Sequence, residues 1–278
     1  MMSDARKGKM RLLRLRSERG VALLIVLLVT ALLIALIFEF SYATRISLNS
    51  AINFRDSQRA YFLARSGIFA FIKYGKELRD IYIPQGEWGV VPMISDGDTQ
   101  VRIMWEDEQG KINIKGSLYD ANTLGWLTEL FTIQGVSQEV LNRMVAEKKQ
   151  IALLSELHQI MSDEEYGKVS KYVTVSASGK INVNTAPETV LQSMRVNNPS
   201  FIVSQRAKNP FKEGESIPGT TDVKTQSGSN ITNFLGAVAS NIYTVYAYAT
   251  VGGYTKQIEA IVNVADPLRP AFYYWRAL

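Results

Sequence analysis

The longest apolar run in the chain lies near its start. From Val21 to Phe38, Thr30 is the only polar side chain, and about 18 such residues reach the lower limit for a helix that crosses a bilayer. Apolar positions then continue at helical spacing. Phe40, Ala43, Ser47, Ala51, Phe54, Gln58, Tyr61, Arg65, Ile68 and Ile72 follow one another at steps of three and four. That stripe is mostly apolar, interrupted by Ser47, Gln58 and Arg65. No Pro precedes Pro84, and the only Gly residues between Val21 and Arg79 are Gly67 and Gly75. The pattern predicts one helix over 21–79, membrane-spanning in 21–38 and about 85–90 Å long at ~1.5 Å per residue. Phe40, Ala43, Ala51, Phe54, Tyr61, Ile68 and Ile72 form its packing stripe, which needs a domain or neighbouring subunits to cover it.

The period changes after Pro84 and Gly86 break the helix. Glu87–Met93 and Thr99–Glu106 read as strands joined by Ser95-Asp96-Gly97-Asp98, and Pro92 confines the first to a sheet edge. Lys111–Ile114 is expected as a third strand of the same antiparallel meander. Helical signals dominate from about Asp120 to Met194, with Ser137 as one cap. Ser162-Asp163-Glu164-Glu165 and Thr185-Ala186-Pro187-Glu188 both have capping-box spacing, and Pro187 falls where a first helical turn tolerates it. From Asn197 to Ser229 large apolar residues are few, and 208–229 is expected to be a mobile loop. Alternation then returns. Tyr243, Val245, Ala247 and Ala249 oppose Thr244, Tyr246 and Tyr248, Gly252-Gly253 turns the chain, and Ile258, Ala260, Val262 and Val264 line one face of the return strand. This hairpin is expected to complete the sheet begun near Glu87, with the helical region inserted between its halves. Ala271-Phe272-Tyr273-Tyr274-Trp275-Arg276 is read as an edge strand.

Charge narrows the functional classes. The formal net charge is +5, which alone invites nucleic acid as a partner. Seven basic residues (Arg6, Lys7, Lys9, Arg11, Arg14, Arg16 and Arg19) and only Asp4 and Glu18 lie in the first twenty, however, leaving 24 of each sign beyond them. The excess belongs to the leader and not to a binding surface. Between Ser117 and Gly236 there are 11 Lys or Arg against 12 Asp or Glu, too few cations to neutralise phosphates. Cysteine is absent, so disulfides and thiolate metal sites are excluded. The single His158 and the acidic groups at Asp96/Asp98, Glu106/Asp107/Glu108 and Asp163/Glu164/Glu165 read as surface, turn and cap residues. No nucleophile elbow, phosphate loop or His/Cys cluster is present, and no enzymatic chemistry is expected.

A basic leader before an apolar run keeps that end cytoplasmic and sends the rest across the membrane. Three readings of the run fit: an ordinary anchor, a secretory signal cut after Ser41-Tyr42-Ala43, or a stem cut at its other edge. The last comes from a resemblance. Arg19-Gly20-Val21, a Gly directly before the apolar run, resembles the type IV prepilin signature. The segment Gly179-Lys180-Ile181-Asn182-Val183-Asn184-Thr185-Ala186-Pro187-Glu188-Thr189-Val190-Leu191 resembles a phrase of the helical domain in the minor pseudopilin K family of type II secretion, and of some helix-hairpin-helix DNA-binding proteins. Most pilins carry Glu at the fifth mature position; here it is Ile25, and lack of that Glu is a trait of the K family.

The resemblance implies an α+β fold: a pilin-like long N-terminal helix on an antiparallel sheet, with a large inserted α-helical (SAM/helix-hairpin-helix-like) domain. It implies a cleaved cytoplasmic leader (1–20), a stem (21–79), the first part of the sheet (80–116), the inserted domain (117–236) and the completing strands (237–278). A prepilin peptidase would cut between Gly20 and Val21, and Val21 would be N-methylated. The implied role is structural, at the tip of a pseudopilus on the bacterial inner membrane, with minor pseudopilins I and J and other pseudopilus subunits as partners, no nucleic acid and no cofactor. Calcium is allowed by the family, but no loop here has the spacing, so no ligand residue is assigned. A minor pilin of a type IV pilus and a membrane-anchored periplasmic DNA-binding protein are the alternatives.

Overall fold

The computed structural model describes residues 4–78, 89–115, 120–146, 151–177, 179–266 and 268–278. Helix α1 runs from Asp4 to Leu78, and the chain divides into two compact units, Met1–Asp56 and Ser57–Leu278. The expected helix breakers Pro84 and Gly86, and the expected change of character at Ser117, lie outside the described residues.

In the first unit the helix presents apolar side chains all round. Leu23, Leu24, Leu27, Leu28, Ile34 and Phe38 are all exposed. Two threonine hydroxyls bond back to their own helix: Thr30 donates to the carbonyls of Val26 and Leu27, each at 2.9 Å, and Thr44 to Phe40 at 2.8 Å. Such bonds satisfy a hydroxyl without any partner outside the helix. The helix is long and apolar enough to cross a membrane.

In the second unit the remainder of α1 lies on a five-stranded antiparallel sheet of order β1-β2-β7-β8-β9. Its strands are β1 (Gly89–Asp96), β2 (Thr99–Asp107), β7 (Ile242–Val251), β8 (Tyr254–Asn263) and β9 (Ala271–Ala277). The β7–β8 register runs from Ile242↔Asn263 to Val251↔Tyr254. Gly252 and Gly253 close it with φ of 55° and 84°, values for which Gly carries no steric penalty. Pro92 sits in β1 at one edge, and β9 forms the other. Ala64, Ile68, Phe71 and Ile72 of the helix meet Ile103, Trp105, Val245, Ala247, Ile258, Ala260 and Val262 of the sheet in one apolar core. Phe71 sits edge-on to Tyr243 and tilted against Trp105, with centroids 5.5 and 5.7 Å away.

Between β2 and β7 the chain builds a second core from short elements: α2 (Ala121–Gln134), α3 (Gln138–Ala146), α4 (Asp163–Val169), α5 (Glu188–Ser193) and α6 (Pro199–Lys208). Two-residue parallel pairs stitch them together, β3 (Ile112–Asn113) with β4 (Val173–Thr174) and β5 (Ile181–Asn182) with β6 (Leu235–Gly236). Leu127, Leu130, Phe131, Met144, Val190, Leu191 and Ile202 are among its buried members.

Several local expectations change. The third strand does not extend the meander: after the 3-10 turn Glu108–Gly110 the chain leaves the sheet, β3 pairs with β4, and β7 takes the free side of β2. Ser162 and Glu165 do form a capping box on α4. Thr185 does not cap α5, whose N-cap is Pro187 without a side-chain bond; its hydroxyl donates instead to the buried carboxyl of Asp107 at 2.6 Å. The Leu154–Gln159 stretch containing His158 is 3-10 and not α-helical. Pro199 opens α6 in the stretch where large apolar residues become few, ahead of the expected loop. Past the end of α6, the rest of the expected 208–229 loop lacks regular helix, yet Phe211, Ile217 and Val223 are buried in the helical core.

Candidate functional site

The residues singled out by the sequence lie on the surface of the stem and on the helix that meets the sheet. On the stem, Gly20, Val21 and Ile25 are all exposed, with open space where a Gly20 Cβ would point. Phe40 and Phe54 are 75% and 68% exposed, and Ala43 and Ala51 are exposed beside them. In the second unit Ile68 and Ile72 of the same stripe are buried under the sheet and Tyr61 is half-buried, while Gln58 and Arg65 are exposed. The buried face there runs through Ala60, Ala64, Gly67, Ile68, Phe71 and Ile72. Small residues decide it. A Cβ on Gly67 would lie 3.2 Å from the Ala247 Cβ, so the helix sits as close to the sheet as two backbones with minimal side chains allow.

An aromatic cluster remains uncovered at the β9 edge. Phe69 of the helix packs edge-on to Phe272 of β9 at 6.0 Å, and Phe272 to Trp275 at 5.5 Å. The Arg65 guanidinium stands 5.8 Å above the Phe69 ring. All three rings are between about a third and a half exposed. Sequence reading identified the aromatic tail but not its helical counterpart, because nothing in the pattern says which helix face meets an edge strand.

Behind this surface, the sheet and the helical core are joined by buried polar groups. At the end of β2, Asp107 accepts from the Gln109 amide (2.8 Å), from Thr185 (2.6 Å), from Ser240 and, at a long 3.4 Å, from Asn182. Burial raises its pKa, a shift that these donors oppose. The adjacent Glu108 faces other partners: Lys111 at 2.7 Å, Thr174 at 2.5 Å and Thr244 at 2.7 Å. Burial pushes its carboxyl up, but Lys111 and the two hydroxyls outweigh it and hold the pKa below the ordinary range. Lys111 also reaches Glu106 at 3.0 Å, and despite its burial the two carboxylates raise its pKa. Gly110 passes so close to Thr185 that a Cβ would meet its carbonyl carbon at 2.8 Å.

The Ile181–Leu191 phrase is the other half of this joint. Asn182 donates to Ser240 (2.9 Å) and accepts from the Asn184 amide (3.1 Å). Asn184 exchanges two hydrogen bonds with the Phe211 backbone, both at 2.9 Å. The buried Arg206 donates to the carbonyls of Val183 (2.5 Å) and Ala186 (2.6 Å). The phrase is thus a polar knot tying α5 and α6 to the end of β2. Next to Glu108, Lys111 and Thr174 opens a cleft of about 930 Å³ between the helical core and the sheet, lined by Lys115, His158, Tyr166, Lys171, Tyr246 and Arg276 among others. His158 stacks on Tyr166 at 3.8 Å and bonds Asp163 at 2.9 Å. Among the described residues, no three His, Cys, Asp or Glu side chains are grouped to hold a metal ion.

No protein-family model matches the chain, and no curated protein matches it. A solved structure does: the GspK chain of the GspK-GspI-GspJ complex from the type 2 secretion system of enterotoxigenic Escherichia coli. The TM-score is 0.62 at 14% identity, over 82% of this chain and 99% of that one. The fold is that of GspK. At this identity the likeness is one of architecture: the long helix, the antiparallel sheet and the helical regions of an α+β, pilin-like chain.

Proposed function

We propose that this protein is a minor pseudopilin of a type II secretion system, seated at the tip of the pseudopilus, where it starts or caps filament assembly. The observation that carries the reading is the two-part body shared with GspK, a pilin-like sheet with a helical core between β2 and β7. It stands behind a helix apolar enough to cross a membrane. GspK was solved together with GspI and GspJ; the corresponding pilin-like subunits are the partners proposed here.

The mechanism is packing, not chemistry. The exposed apolar surface of the stem, including Phe40, Ala43, Ala51 and Phe54, packs against partner stems, and the bulky helical core obstructs addition of a subunit above it. A prepilin peptidase on the inner membrane cuts between Gly20 and Val21, and Val21 is then N-methylated. At the fifth mature position Ile25 leaves no carboxylate in lipid, where an unpaired one is costly. A subunit with none ahead of it needs no such charge. The body is periplasmic on this reading.

The test is genetic. Deleting the gene is expected to stop release of folded exoproteins into the medium while leaving pilus-dependent motility intact. Normal secretion with loss of pili would instead assign the chain to a type IV pilus.

A further inference from the structure

The helical core and the sheet are two separate apolar cores with no buried residue in common. Among the described residues two short stretches connect them: Glu108–Lys111, leading out of β2, and Ala237–Asn241, leading into β7. On one side the large cleft separates the two bodies. Where they touch, the contact is polar and buried. Asp107 grips Ser240 on the returning stretch and Thr185 and Asn182 on the helical body. Glu108 grips Thr244 on the sheet and Thr174 on the helical body. Neighbouring side chains at the chain's exit from the sheet therefore each hold both bodies.

We propose that Asp107 and Glu108 form a clasp that sets the angle of the helical body on the sheet, with Asp107 as its principal positioning residue. Apolar contact is non-directional and tolerates sliding, whereas hydrogen bonds to two fixed oxygens define one orientation. Asp107 alone has four donors from three separated segments, so its loss frees the joint without removing an apolar side chain from either core. The inference stands on this geometry and does not depend on the secretion role.

The absence of cysteine makes the test direct. Glu139→Cys on the helical body and Tyr254→Cys on the sheet, both exposed positions, carry a spin-label pair in the full-length chain in detergent. Pulsed electron resonance then reads the spread of distances between the bodies. Asp107→Ala is expected to broaden that spread at least twofold. Met144→Ala, which weakens the helical core in α3 away from the joint, is expected to leave it unchanged. Should Asp107→Ala not fold, Asp107→Asn takes its place. It keeps one acceptor and turns the other into a donor, and an intermediate broadening is expected. Equal spreads in the Asp107 variant and in Met144→Ala would overturn the proposal.

Discussion

Gly20 and Asp107 carry the sharpest expectations for single residues. If Val21 is the first mature residue, intact-mass measurement gives a chain starting at Val21 with a methyl group, and Gly20→Leu leaves the full-length precursor. A mature chain beginning at Thr44 would instead reveal an ordinary signal peptidase. Lys111→Met leaves Glu108 buried without its cation, and breaking a buried pair on one side costs about 3–5 kcal/mol. Urea denaturation should show that loss. A change under about 1 kcal/mol would mean that the pair is solvated and the buried geometry wrong. The pH response follows from the shift at Asp107. Its folded-state pKa is raised by burial, so the folded chain binds this proton more tightly than the unfolded one does. Its contribution is lost as pH rises through the raised value and is fully present below the ordinary carboxylate pKa. Relative to Asp107→Asn, the unsubstituted chain should therefore gain stability as pH falls through that window. Parallel stability curves for the two proteins would contradict it.

The elements show why some of the fold was legible and some was not. The β7–β8 hairpin could be read residue by residue, because alternation and a Gly-Gly turn are local signals of the same structure. The helix was legible as a helix, but its sheet-facing side was not. Apolar residues at Tyr61, Phe62, Leu63, Ile68, Phe69, Phe71 and Ile72 occupy several faces, so periodicity alone cannot choose among them. Close approach chooses: the face that meets the sheet is the one with Ala60, Ala64 and Gly67. Gly67→Leu should accordingly cost about 2–3 kcal/mol by overpacking, whereas the exposed Phe62→Leu stays within about 0.5 kcal/mol; equal effects in thermal or urea unfolding would refute this packing. Thr185 was misread because its capping box is a local pattern, while its true partner, Asp107, is 78 positions away in sequence. Asp107 itself was read as a turn residue. It does accept the Gln109 amide of a 3-10 turn, but its burial depends on contacts that no local pattern encodes.

At the scale of the whole molecule, the order of elements was readable because each half of the sheet carries its own signals and the helical signals lie between them. The relation of the two bodies was not, since it rests on a few polar groups contributed by distant segments. The likeness to GspK is one of architecture; the apolar stem and the Phe69–Phe272–Trp275 cluster are its exposed apolar surfaces. On the function proposed above, this chain sits in a tip complex with pilin-like subunits of the I and J types. Gentle extraction of the tagged, full-length chain from its native membranes, followed by size separation and mass spectrometry, tests it most directly. A stable complex containing both of those subunits is expected. Recovery of type IV pilus components in their place, or of the chain alone under conditions that keep other pseudopilin complexes intact, would contradict it.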